Sequence, residues 1–131
     1  IIFPNWSQPE ELLYSKLTAL ICQLSNNPAR NQITLLINTN SLSDVEIDPE
    51  LILYSVILNL TLNENLNFDE NQLEISLVPK LKSQQWQPLL KKISARLVLD
   101  SEDCEIIEAL KLTTLVSFNV DEVENIVSGV N

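Results

Sequence analysis

Four short runs rich in Ile, Leu and Val divide this chain, and segments with helical periodicity lie between them. The runs cover residues 33–37, 73–78, 95–99 and 113–118. Each is too short for an ordinary helix, and the first is nearly continuous in hydrophobicity, which is typical of strands buried on both faces of a parallel sheet. This pattern limits the possible folds more than any other feature of the sequence.

The segments around these runs predict helices. The first is predicted to begin at the capping-box sequence Ser7-Gln8-Pro9-Glu10 and to end before a cluster of helix breakers near Asn27. Further helices are predicted at residues 49–62, 83–93, 101–110 and 121–127, and Pro88 is expected to kink the third of the five. Strands that alternate with helices favour right-handed crossover connections. We therefore expect a Rossmann-like, three-layer α/β/α fold with a mostly parallel sheet of about four strands.

Chain length and segment composition suggest one domain without a membrane span. The 131 residues fit the usual domain size of about 100–150 residues. Because the chain opens at Ile1 without an initiator Met, we expect domain 1–131 to be a fragment of a larger protein. No signal peptide is visible, no apolar run approaches roughly 18 residues, and Cys22 and Cys104 lie in different predicted helices. These features favour a cytoplasmic protein with reduced thiols.

The charge of the chain disfavours several classes of partner. Eighteen acidic and eight basic residues give a net charge of −10, whereas nucleic acids and anionic membranes attract clustered Lys and Arg. The main basic cluster, Lys80, Lys82, Lys91 and Lys92 followed by Arg96, is interpreted as a solvated helix surface. The chain has no His and no CxxC motif, so we predict no transition-metal site.

The sequence also lacks the usual signs of catalysis. Its single glycine is Gly129, whereas loops that cradle phosphates are rich in glycine. A Ser or Cys nucleophile needs a base, and no His is present to supply one. The dense acids after the third run begin a predicted helix, where the helix dipole favours them. We predict no catalytic residue and no cofactor.

Two acidic residues, Asp100 and Glu108, stand eight positions apart after the third run. The run itself reads Ala95-Arg96-Leu97-Val98-Leu99, the second acid opens Glu108-Ala109-Leu110, and Thr114-Leu115-Val116 follows. This order resembles the nucleotide-sugar half of a GT-B glycosyltransferase. The resemblance implies that Glu108 binds the ribose of the donor and that Asp100 lies near the transferred sugar.

Other segments extend this resemblance over most of the chain. Residues 73–81 and 86–90 resemble the strand and helix that precede the paired acids, and Phe3-Pro4-Asn5-Trp6 resembles the beginning of the domain. Residues 6–11 and 85–90 are also similar to domains attached to cyanobacterial glycosyltransferases. In the donor site that the resemblance implies, Lys80 or Arg96 contacts the diphosphate.

The chain departs from the family pattern at the donor site itself. Residues 3–7 contain neither Arg nor Lys, and Ser101-Glu102-Asp103-Cys104 replaces a glycine-bearing loop. Leu112-Thr113 stands where the family has a glycine before the last strand, and the first acid is Asp100 instead of Glu. An acidic rim without glycine repels a diphosphate. The resemblance therefore implies a retained scaffold with a lost donor site.

Three classes of function follow from these observations. The leading hypothesis is a non-catalytic, glycosyltransferase-like scaffold that packs against a neighbouring domain or a protein partner, with the helix at 49–62, Trp6 and Trp86 as contact candidates. The alternative is the nucleotide-sugar-binding half of an active GT-B glycosyltransferase. A receiver-like or flavodoxin-like domain is the third class, but Asn38-Thr39-Asn40 stands where a receiver needs its acidic residues.

Overall fold

In the computed structural model, the described residues are 1–27, 29–39, 47–63, 73–99, 101–111 and 115–119. The helices are α1 (Glu10–Ser25), α2 (Pro49–Asn63), α3 (Ser83–Leu90) and α4 (Cys104–Leu110), with a short 3₁₀ turn at Arg30–Gln32. The strands are β1 (Thr34–Asn38), β2 (Glu74–Val78), β3 (Ala95–Val98) and β4 (Val116–Asn119). This is a mixed α/β fold in which helices and strands alternate, as the sequence pattern predicts.

The strands form two parallel pairs. In the first pair β1 lies beside β2, with Thr34 opposite Glu74 and Asn38 opposite Val78. In the second pair β3 lies beside β4, with Ala95 opposite Val116. The parallel pairing is confirmed, and it brings the carboxyl ends of paired strands to the same edge of each sheet.

Residues 1–3 lie between the two pairs and hydrogen-bond to both. On one side the amide of Ile2 donates to the carbonyl of Leu36 at 2.9 Å, and the amide of Asn38 donates to the carbonyl of Ile2 at 3.0 Å. On the other side the amide of Leu97 donates to the carbonyl of Ile1 at 3.0 Å. The amino terminus of Ile1 also donates to Ala95, at 3.0 Å. Three residues that the sequence pattern did not assign to a strand thus connect the two halves of the fold.

Alternate residues of this central region belong to two different apolar clusters. Ile2 and Ile37 pack in the first cluster with the buried faces of α1 and α2. Phe3 packs in the second cluster with Trp86 of α3 and Ile106 of α4. The first cluster thus contains residues of α1 and α2, and the second contains residues of α3 and α4.

The beginnings of two helices differ from the prediction. No side chain caps α1, which follows Pro9, and the amide of Ser7 donates instead to Oδ1 of Asn5 at 3.0 Å. The predicted capping box is therefore wrong. Helix α4 begins only at Cys104, because Oδ1 of Asp103 accepts the amide of Ile106 at 3.4 Å and caps the helix there.

The predicted third helix ends early, while other predictions lie outside the described residues. Helix α3 continues through Pro88 but stops at Leu90. The predicted helix at 121–127 and the start of the predicted strand at 113–118 lie outside the part of the chain that the structure describes. Within that part, no helix combines the length and the apolar character that crossing a bilayer requires.

Candidate functional site

Parallel strands with crossover helices bind ligands at their carboxyl ends, so this edge is the first place to look for a site. Here the edge is formed by residues 3–6, 38–39 and 101–103, which we call the central edge. Residues 3–6 continue from the segment that hydrogen-bonds to both strand pairs. Residues 38–39 lie at the end of β1, and residues 101–103 follow β3. The contacts among these three segments decide whether a ligand can enter.

An ion pair between Arg96 and Glu102 lies at the central edge. Nη2 of Arg96 is 2.7 Å from Oε1 and 2.8 Å from Oε2 of Glu102. Both side chains are largely buried, with 11% and 13% of their surface exposed. The guanidinium also lies over the ring of Phe3, with Cζ 5.9 Å from the ring centroid. Glu102 therefore neutralises the arginine that the sequence suggested for a diphosphate.

The loop after β3 folds back onto residues 3–5. The amide of Asp103 donates to the carbonyl of Phe3 at 2.9 Å, and Pro4 forms an antiparallel bridge with Glu102. Nδ2 of Asn5 donates to Oγ of Ser101 at 3.2 Å. Oε2 of Glu102 also accepts the amide of Leu99 at 3.2 Å. The backbone amides of Leu99 and Asp103 therefore already have acceptors within the chain.

Trp6 closes the other side of the central edge. Its side chain is fully buried, and its Nε1 donates to the carbonyl of Asn38 at 2.8 Å. Beside it, the amide and the hydroxyl of Thr39 both donate to the carbonyl of Val78, at 3.0 and 2.8 Å. The backbone at the ends of β1 and β2 is thereby satisfied by the chain itself.

Three of the four proposed donor-site residues, Lys80, Arg96 and Glu108, are described, and they lie in different parts of the fold. Lys80 is exposed and follows β2, whereas Arg96 is buried in β3. Residues 1–3 and β1 hydrogen-bond between β2 and β3, so these two strands are not neighbours. Glu108 is exposed in the second half of α4. Asp100 lies outside the described residues.

Glu102 and Trp6 are the residues of this edge whose roles the sequence did not reveal. A signal for the first was available, because an Arg inside a buried strand requires an acidic partner. Glu102 was one of several acids after β3, and sequence spacing alone does not choose among them. The contact of Trp6 with Asn38 joins positions 32 residues apart, so no local pattern predicts it.

A cavity lies at the opposite, amino edge of the strands. Its volume is about 430 Å³, and it opens beside Thr34, the first residue of β1, and Ala95, the first residue of β3. Apolar side chains form most of its lining and include Ile1, Leu24, Leu36 and Ile93. The polar residues Gln32, Lys92 and Ser94 also line it. The cavity and the expected ligand-binding edge thus lie at opposite ends of the strands.

The amino group of Ile1 is buried, and burial disfavours its charged form. Burial, followed by repulsion from Arg96, lowers the pKa of the Ile1 amino group to about 6. A second positive charge is therefore disfavoured beside Arg96 near neutral pH. Among the described residues, no group of three or more Cys, Asp or Glu side chains is arranged to hold a metal ion.

Comparison with known proteins adds no relationship. The chain matches no protein-family model, no curated protein and no solved structure.

Proposed function

We propose that this chain is a Rossmann-like, three-layer α/β/α domain that serves as a non-catalytic scaffold or interaction domain within a larger cytoplasmic protein. The hydrogen bonds of residues 1–3 to both strand pairs support the fold, because a sheet that continued through these residues would have the strand order β2, β1, residues 1–3, β3, β4. This is the order of a doubly wound sheet. Apolar clusters with different helix pairs support the outer layers. The resemblance to the nucleotide-sugar half of a GT-B glycosyltransferase remains part of the proposal.

The closed central edge carries the proposal for a non-catalytic role. A nucleotide diphosphate needs free amides and an available cation, whereas the amides of Asn5, Leu99 and Asp103 already have acceptors in the chain and Arg96 is paired with Glu102. Arg96 would have to share its charge between Glu102 and a phosphate, or leave Glu102. Breaking a buried ion pair costs about 3–5 kcal/mol, because it leaves a buried charge uncompensated. The chain therefore uses for its own stability the groups that a donor site would need for its ligand.

The alternative function is the nucleotide-sugar-binding half of an active GT-B glycosyltransferase. Its support is the exposure of Glu108 and Lys80, which leaves both side chains accessible to a ligand. In that function Glu108 binds the ribose, Asp100 lies near the transferred sugar, and Lys80 or Arg96 contacts the diphosphate. A partner domain would supply the acceptor site.

Thermal denaturation with UDP, GDP and ADP, each with and without Mg²⁺, distinguishes these functions. The scaffold function predicts no nucleotide-dependent stabilisation. A working donor site would gain about 2.7 kcal/mol at a ligand concentration of 100 Kd. The titration is repeated on Glu108→Ala and on the matched control Glu105→Ala, which removes another exposed glutamate from α4. Stabilisation that is lost only in Glu108→Ala would overturn the scaffold proposal and support the alternative.

A further inference from the structure

Helix α2 carries a stripe of exposed apolar side chains. Leu51, Tyr54, Leu58 and Leu62 are 60%, 64%, 44% and 70% exposed. Their spacing of three, four and four residues places them on one face of the helix. We call these four residues the α2 stripe.

The α2 stripe is not needed to attach the helix to the rest of the domain. Ile52, Val56 and Leu60 are almost fully buried in the first apolar cluster, and α2 packs against α1. At 100° per residue, the buried residues and the α2 stripe lie on nearly opposite faces. Scattered exposed leucines are ordinary on protein surfaces, whereas a continuous apolar patch of this kind marks an interaction surface.

We propose that a second copy of this chain covers the α2 stripe, with the two α2 helices antiparallel about a two-fold axis. The proposal deepens the scaffold function above and rests on it. In a two-fold pair, each residue i that contacts a residue j is matched by the reverse contact. The stripe has the required symmetry, since Tyr54 and Leu58 flank its midpoint at Val56 and Leu51 and Leu62 stand at nearly equal distances beyond them. Leu51 then meets Leu62 of the second copy, and Tyr54 meets Leu58.

The charge distribution on α2 permits this antiparallel contact. Glu50 is the sole acidic or basic residue between Pro49 and Asn63, and it lies at one end of the helix. In an antiparallel pair the two Glu50 residues are separated by roughly 18 Å along the axis, about two Debye lengths at physiological salt. The net charge of −10 on each copy opposes association at longer range. Salt should therefore strengthen the dimer. The same negative charge disfavours an anionic membrane as the occupant.

The exposed area of the stripe matches a weak, reversible dimer. From their exposed fractions, the four side chains offer on the order of 500 Å² per copy, and a pair buries about 1,000 Å², near the lower limit for a specific interface. We therefore expect the fraction of chains in the dimer to rise with chain concentration in the micromolar range.

Sedimentation equilibrium at several concentrations, in low and in physiological salt, tests the pairing. The unmodified chain should pass from monomer to dimer as concentration rises, with a larger dimer fraction at higher salt. Leu58→Glu should remain monomeric, because it places two charges at the centre of the contact. Leu12→Glu is the matched control, since Leu12 is 49% exposed but belongs to α1. A monomer at every concentration, or equal loss of dimer in both variants, would overturn the inference.

Disulfide cross-linking tests the antiparallel direction separately. In a background of Cys22→Ala and Cys104→Ser, chains carrying Leu51→Cys are mixed with chains carrying Leu62→Cys. The mixture should cross-link, while either chain alone should not, because like positions lie about 16 Å apart along the axis and a disulfide requires Cα atoms within about 7 Å. Equal cross-linking in a single-variant sample would overturn the antiparallel pairing.

A monomer that binds no nucleotide would disprove only this inference, whereas nucleotide-dependent stabilisation would disprove the scaffold function in any oligomeric state.

Discussion

One guanidinium nitrogen of Arg96 contacts both carboxylate oxygens of Glu102, at 2.7 and 2.8 Å. The contact joins β3 to the loop that follows it, and the same carboxylate accepts the amide of Leu99. Both side chains lie mainly out of water, so each charge depends on the other for compensation.

Glu102→Ala should destabilise the fold strongly, because it leaves a buried guanidinium without its carboxylate. We expect the free energy of unfolding in urea to fall by about 3–5 kcal/mol. The double variant Arg96→Met/Glu102→Leu should recover most of this loss, since it removes both charges while keeping apolar volume. A single variant that loses less than about 1 kcal/mol, the range of an exposed pair, would show that the ion pair is effectively solvated.

Trp6→Phe should cost more stability than Trp86→Phe, although both changes remove the same atoms from a buried indole. Trp6 donates to the carbonyl of Asn38, and its loss leaves a buried acceptor with one partner fewer. Nε1 of Trp86 has no hydrogen-bond partner in the described part of the chain. The difference in unfolding free energy between the variants should be about 1–3 kcal/mol. Equal losses in urea denaturation would mean that packing alone accounts for both tryptophans.

The parallel strand pairs could be predicted because β-branched, nearly continuous apolar runs are a local signal. The strand-like role of residues 1–3 could not be predicted in this way. These three residues are followed directly by Pro4, and a run of three is too short to show the two-residue period of a strand. The candidate site was harder still. Its chemistry depends on which acid meets Arg96, and that choice is made by how the loop at 101–103 folds back over residues 3–5.

The same limit applies to α2. Its composition indicated a helix that is apolar on most sides, and the structure confirms the helix at Pro49–Asn63. Composition did not show which apolar residues are exposed. That division depends on the packing of α2 against α1 and the strands, which buries Val56 and leaves Leu58 half exposed.

Lys111→Gly should stabilise the chain, because Lys111 has a left-handed backbone conformation at the end of α4, with φ 50° and ψ 57°. Glycine adopts this conformation without the steric penalty of a Cβ atom. We expect the unfolding free energy to rise by about 0.5–1 kcal/mol. Lys91→Gly is the control, since Lys91 ends α3 with φ −66° and should lose stability on the same change. A loss at both positions would contradict the backbone explanation.

The stability of the 131-residue chain should rise between pH 6 and pH 8 because of the amino group of Ile1. Burial, and then repulsion from Arg96, lowers its pKa from 8.0 to about 6 in the folded chain. Within this window the unfolded chain binds more protons than the folded chain, so the free energy of unfolding increases with pH. The stabilisation is complete above pH 8 and is lost as pH falls through 6. A lowering of this size corresponds to on the order of 2–3 kcal/mol.

Acetylation of the Ile1 amino group provides the control for this pH dependence, because an acetylated terminus has no charge to titrate. The chain contains no His, and carboxyl groups with ordinary pKa values titrate below the window. The rise between pH 6 and pH 8 should therefore be present in urea denaturation of the free chain and absent after acetylation. A rise of equal size in both forms would assign the effect to other groups and would show that the amine of Ile1 is hydrated in the folded state.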